Sequence, residues 1–346
     1  MTKNIMSGSL IAILILVVLF GFGRVQSAHA VHFDLQYLDT ISNPPPPTNC
    51  VGNTSDITNV MAAAAMTWEL AIGENYEINI QYWWGPGTSR CIIVDQGGTP
   101  SRTIRAYIIF NNQAEYNMDP CPLGSLSNYT FTERSVDLGG GLMNYSRLYS
   151  AKWPVTNSVG QELEDPFKVA LHELGHSLGF NSVNPNFQAG VIPITNFNGW
   201  GIEITAPTPF AGSVVPLQPN RSPHLAYINN VANVTSGSGY PSDRFMPSAL
   251  DMVIEAQMAG WTNLNLGLNP ILALSQPFIV QVAGHNVTKV TASWIQPIGN
   301  WQLQKCTNLQ RNQWTGVRDS PFITGYGQYN VTTTVTINTY FRLKKV

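Results

Sequence analysis

The sequence predicts an α+β fold followed by an antiparallel β-sandwich, and three observations carry that prediction. The stretch "FKVALHELGHSLGF" (167–180) places apolar residues at helical spacing, whereas "YEINIQYWWG" and "TIRAYIIF" ahead of it alternate with the period of strands. Beyond Pro270 the pattern becomes a succession of short strand-like runs. The chain has 346 residues, which suits two domains better than one. Apolar residues make up 44% of it, enough for a sizeable core, and charged residues only 11%. The usual charged share is about 25%. A net charge of -2 with no Lys/Arg run gives no electrostatic basis for nucleic acid as a partner.

Taken in order, residues 1–30 read as a signal peptide. Lys3 gives a positive start, Leu10 to Phe20 an apolar run, and Ala28-His29-Ala30 small residues at a cleavage position. Cleavage is expected after Ala30, making the mature protein secreted or extracytoplasmic. An uncleaved anchor would also leave the remainder outside the membrane. "VHFDLQYL" then alternates like a strand, and Pro44–Pro47 form an extended spacer. "SDITNVMAAAAMTWELAIG" reads as a helix stopped by Gly73.

Asp165 and Pro166 open the next helix as N-cap and first-turn proline; Phe167, Leu171, Leu174 and Leu178 form its apolar side, and Gly179 ends it. The Gly-, Pro- and Asn-rich segment 181–242 reads as loops around a cleft. A short helix is expected from Ser248 to Met258. The glycines of "DLGGGLMNYS" (137–146) lack the lysine and spacing of a phosphate loop and suit a turn, with a substrate-binding edge as the functional alternative. Residues 31–267 are thus the expected catalytic domain, and 268–346 the β-sandwich, with runs such as "KVTASWI", "WQLQKC" and "YFRLKKV".

His172, Glu173 and His176 carry the chemistry. Imidazoles at i and i+4 lie one turn apart on one helix flank and can turn nitrogens towards one Zn²⁺. The metal lowers the pKa of water and polarises an amide carbonyl, while Glu173 takes the proton and passes it to the departing amine. The alternative is a pair of ordinary helix histidines. Export, the helix start and the terminating glycine all weigh against it. Of the six histidines, His29 lies in the signal, His32 beside its cleavage point and His285 in the C-terminal module. His224 therefore remains as a third ligand, with Glu203, Asp251 and Glu255 as competitors.

"HELGHSLGF" resembles the active-site helix of metzincin-type zinc peptidases, where the motif extends to HExxHxxGxxH or HExxHxxGxxD. Gly179 matches the glycine of that pattern, but Ser182 stands where the third ligand is expected. The nearest resemblance is to leishmanolysin-like and related bacterial peptidases, which bring a third histidine from beyond a long insertion and place a later methionine beneath the zinc. By that resemblance "SPHLAYINN" supplies His224 and "DRFMPSAL" supplies Met246 as the Met-turn. The resemblance spans residues 50–265 in outline, and its specific motifs occupy a small part of that span. Tyr227 and Tyr240 are candidate oxyanion stabilisers, since a phenolic hydroxyl can donate to developing negative charge.

The expected function is an exported zinc endopeptidase acting on protein or peptide substrates. Two alternatives stand beside it: an inactive metallopeptidase-like protein binding carbohydrate or a cell surface, and a zinc-dependent amidase for non-peptide substrates. The C-terminal residues resemble a small β-sandwich module of exported bacterial proteins. There, Trp294, Trp301 and Trp314 are either a carbohydrate platform or sandwich core, and core carries the greater weight. Ca²⁺ would suit an extracellular enzyme, but no calcium loop of specific spacing occurs. Cys50, Cys91, Cys121 and Cys306 contain no close pair for a four-cysteine zinc site. Export permits disulfides, and one is expected among the first three.

Overall fold

The computed structural model describes residues 31–39, 44–194, 199–207, 209–219, 222–228, 233–236, 240–270, 272–275, 277–282, 285–294, 300–307, 313–323, 328–336 and 339–346. The expected signal peptide lies outside the described residues. Among them, no helix is long and apolar enough to cross a membrane.

The fold is mixed α+β, with most strands in several small sheets. Strand β1 (Val31–Tyr37) leads through helix α1 (Ile57–Ala71) to β2 (Tyr76–Gly85), and the two strands pair in parallel. Strands β3 (Arg90–Gly97) and β4 (Arg102–Asn111) complete a sheet of order β1-β2-β4-β3. β4 runs parallel to β2, and β3 is an antiparallel edge strand. The alanines of α1 allow a close approach to the sheet and to the histidine-bearing helix α2 (Pro166–Leu178), where the Trp68 indole N–H donates to the Leu171 carbonyl at 2.9 Å.

Strands β5 (Tyr129–Asp137) and β6 (Leu142–Ala151) form a hairpin before α2. The glycines within 137–146 form its turn, at residues 138–141, with Gly139 and Gly141 at positive φ. After α2 the described residues carry more helix and strand than the composition suggests. Helix α3 (Pro185–Gly190) is followed by a three-stranded antiparallel sheet of β7 (Val191–Ile194), β8 (Gly199–Glu203) and β9 (Val214–Pro216). Strand β10 (Arg244–Met246) joins the free side of β6, and helix α4 (Ala249–Ala259) follows at once. Ser248 and Asp251 form a reciprocal capping box at its start, and Gly260, at φ 67°, ends it.

One core lies between the four-stranded sheet, α1 and α2; a second gathers Phe180, Phe187, Ile202 and Val215 against Leu250, Val253, Ile254 and Met258 of α4. Leu268 still packs in the first core, one residue beyond the boundary expected from sequence.

The C-terminal strands are β11 (Ala273–Leu274), β12 (Phe278–Val282), β13 (His285–Trp294), β14 (Trp301–Cys306), β15 (Thr315–Gly316), β16 (Phe322–Ile323), β17 (Tyr329–Thr334) and β18 (Tyr340–Lys345). They make two antiparallel sheets that share a small core of Ala292, Trp294, Leu303 and Val331. Trp294 stacks on Tyr329 inside this core, so it cannot serve as an exposed platform.

Where a disulfide was expected among Cys50, Cys91 and Cys121, the structure joins none of the four cysteines by one. Cys91 packs against the first core from β3, and Cys306 is buried in β14. Cys121 packs its sulfur close to Gly124, and Cys50 lies beside the backbone of Tyr116.

Candidate metal centre

Helix α2 starts where side-chain chemistry puts it. The Asp165 carboxylate accepts the Phe167 N–H at 2.9 Å, and Pro166 occupies the first turn. Asp165 also pairs with the buried Arg244 guanidinium, which reaches Asp119 at 2.7 Å as well. Arg244 opens β10, so one buried cation ties the start of the histidine helix to the strand carrying Met246. At its far end α2 stops at Gly179, whose φ of 142° a side chain would rarely adopt.

Three imidazoles meet beside this helix. The Nε2 atoms of His172 and His176 are 3.1 Å apart, and those of His172 and His224 are 3.2 Å apart. His224 arrives from 52 residues further along the chain. Each ring is oriented through its other nitrogen. The Nδ1–H of His172 donates to the Val234 carbonyl at 2.7 Å, and that of His176 to the Phe180 carbonyl at 2.8 Å. His224 Nδ1 meets the Ser222 hydroxyl at 2.5 Å.

This arrangement settles the tautomers of the helix pair. A carbonyl oxygen can only accept, so His172 and His176 must carry their protons on Nδ1. Their Nε2 atoms then face each other as lone pairs, and the short separation is no hydrogen bond. Protonating a ring would relieve the repulsion, but the protein opposes it. Burial holds His176 down to about 4, helped by His224. His172 is pushed well below the usual histidine range, first by burial and then by the other two rings, and burial lowers His224. Nitrogens bound tetrahedrally to one ion at about 2.0–2.1 Å lie about 3.3–3.4 Å apart. The observed spacing is close to that, so the three residues fit a metal ion.

Glu173 lies beside them, 4% exposed, with the Cys91 backbone N–H donating to it. Burial raises its pKa to about 8, against the opposing effects of that N–H and of the Arg90 guanidinium. The centre opens into a cleft of about 420 Å³. Thr88, Ser89, Asn111, Glu164, Lys168, Val169, Asn233 and Phe245 are among the residues that line it.

Comparison with protein-family models, with curated proteins and with solved structures finds no match to this chain. The geometry alone speaks.

Met246 is fully buried on β10, which packs against α2. Tyr227 and Tyr240 are 46% and 74% exposed and do not line the cleft; the backbone carbonyl of Tyr240 instead accepts from Lys168. The competing third ligands point elsewhere. Glu203 is exposed, Asp251 is spent on its capping box and Thr235, and Glu255 accepts the Phe180 N–H at 2.9 Å. Among the described residues, His172, His176 and His224 form the metal-competent group. Sequence reasoning missed Ser222, although a hydroxyl two residues before a candidate ligand is a weak pointer to an orienting partner. It also missed Val234 and Phe180, which act through carbonyls that every residue type carries.

Proposed function

We propose that the chain is an exported zinc endopeptidase of metzincin-like type, in which His172, His176 and His224 hold the metal and Glu173 is the general base. The supporting observation is the convergence of unprotonated imidazole nitrogens beside a buried carboxyl in an open cleft. Zinc suits three neutral imidazoles with a fourth position left open. When bound, it polarises an amide carbonyl and lowers the pKa of water.

The chain's own residues supply the remaining steps. A dication among the histidines favours the ionised form of Glu173, so the carboxylate can take a proton from the attacking water. The hydrogen bond from Cys91 keeps it aimed while it then delivers that proton to the departing amine. Among the described residues β3 is an edge strand of its sheet, and the loop before it lines the cleft. An extended peptide can add to such an edge by main-chain hydrogen bonds, which favours a peptide over a compact amide as substrate.

The first test is metal content by elemental analysis of the purified mature protein, beside His224→Ala under identical metal exposure. The reading expects close to one zinc per wild-type chain, clear loss in the folded variant, and cleavage in a broad peptide screen. A wild-type protein that takes up no zinc after reconstitution ends the proposal. Zinc retained in full by the variant removes His224 from the ligand set.

A further inference from the structure

Glu255 is a fully buried carboxyl on α4 that the proposed chemistry does not use. Burying an acid is costly, and an apolar residue would fill the position more cheaply. Its Oε2 accepts the Phe180 N–H at 2.9 Å, and its Oε1 has no hydrogen-bond partner. Phe180 is the residue whose carbonyl receives the Nδ1–H of His176. Between them, the carboxyl and the imidazole hold both backbone polar groups of one residue, just past the point where Gly179 turns the chain out of α2. Gly175, one residue before His176, leaves room for this approach: a Cβ there would lie 3.5 Å from Glu255 Oε1 and 3.3 Å from Trp68.

We infer that Glu255 is a positioning residue for the metal centre, fixing the Phe180 peptide so that its carbonyl holds the His176 ring in its ligating tautomer and direction. This rests on the three-histidine reading above. The Phe180 side chain is already packed in the second core, and the hydrogen bond from its N–H to α4 adds a fixed direction to its backbone. Partners of this kind, one bond removed from a ligand, typically change metal affinity about 10–100-fold when lost. The nearby asparagine does not substitute for it, because the Asn181 amide donates to the His176 carbonyl and leaves the ring untouched.

The test uses the full mature chain with zinc as the probe, titrated against a chromophoric chelator, and with cobalt for its ligand-field spectrum. Glu255→Gln keeps an oxygen that can accept from Phe180, and is expected within about threefold of wild type. Glu255→Asp keeps the acid but shortens its reach, and is expected to bind zinc about tenfold more weakly with a shifted cobalt band. Glu255→Leu is expected to lose about 10–100-fold. Metal-free melting of each variant identifies any that fail to fold, and the aspartate and glutamine forms carry the test if the leucine form does. Folded aspartate and leucine variants that match wild type in zinc affinity and cobalt spectrum overturn the inference while leaving the metal centre intact. A wild-type protein that binds neither metal instead removes the reading on which it rests.

Discussion

At the scale of single residues, the centre is defined by where protons sit. Glu173→Gln keeps the shape of the carboxyl and removes its basicity. Zinc content should stay at the wild-type level while peptide hydrolysis falls about a hundred- to ten-thousand-fold, as parallel metal analysis and turnover assays would reveal. Ser222→Ala removes the partner of His224 Nδ1 and should weaken zinc binding about 10–100-fold by competition titration.

The pH dependence of the metal-free protein follows from the same groups. Folded Glu173 keeps its proton to about 8, whereas an unfolded glutamate loses it near 4.5. Between those values the folded state binds the extra proton, so this group makes stability fall as pH rises. His176 acts in the opposite sense: its folded pKa is about 4 against 6.5, so its contribution is lost as pH falls through that window. From pH 6.5 to 8 the glutamate effect is therefore unopposed by His176. Melting of the metal-free protein should decline there by up to about 1.4 kcal/mol per pH unit, with a shallower decline in Glu173→Gln. An equal slope in both proteins would show that Glu173 is ionised in the empty site.

The two helix histidines and Glu173 were legible because i, i+4 spacing is a property of sequence alone. His224 followed from the scarcity of histidine. The partners on their Nδ1 atoms were hidden, because two of the three are backbone carbonyls. Glu255 was visible as an acid near the site but not in its role, since only the fold shows that it faces a backbone N–H.

At the scale of elements, local signals succeeded where they were chemically strong. Asp165-Pro166 and Gly179 bounded α2, and "YEINIQYWWG" is β2 residue for residue. Helix α3 was missed although Asn184 caps it and Pro185 opens it, because a six-residue helix offers too little periodicity to register. Strands β7 to β9 are too short to alternate convincingly, and their pairing depends on contacts outside each run. The parallel register of β1 on β2 is likewise a product of the α1 crossover.

Two substitutions probe the ends of these elements. Gly179→Ala would force a side chain into a positive-φ turn, with its Cβ 3.1 Å from the Cβ atoms of Met258 and Ala259. It should cost about 1–3 kcal/mol in denaturant unfolding. Ser248→Ala breaks the capping box of α4 and should cost about 1 kcal/mol in the same measurement.

At the scale of the whole molecule, the described residues form two larger cores and a third, smaller one in the C-terminal strands. Leu268 belongs to the first group, which places the useful boundary just after it. A chain of residues 31–270 should fold and bind zinc with wild-type stoichiometry, as a melting curve and metal analysis would show. Failure of that shortened chain to fold would make the C-terminal sheets part of the catalytic fold.

The absence of a disulfide among the four cysteines gives the proposed centre a second consequence. His172 and His224 stand 52 residues apart, so an ion held between them closes a loop that no covalent bond closes. A cross-link over that span is worth about 4 kcal/mol when it restricts the unfolded chain. The metal would then act as a clasp over the connecting strands as well as a reagent, and a chelator should open that segment to limited proteolysis before the remainder of the domain. In a chain without disulfides, supply of the ion would govern how long the protein survives as well as whether it works.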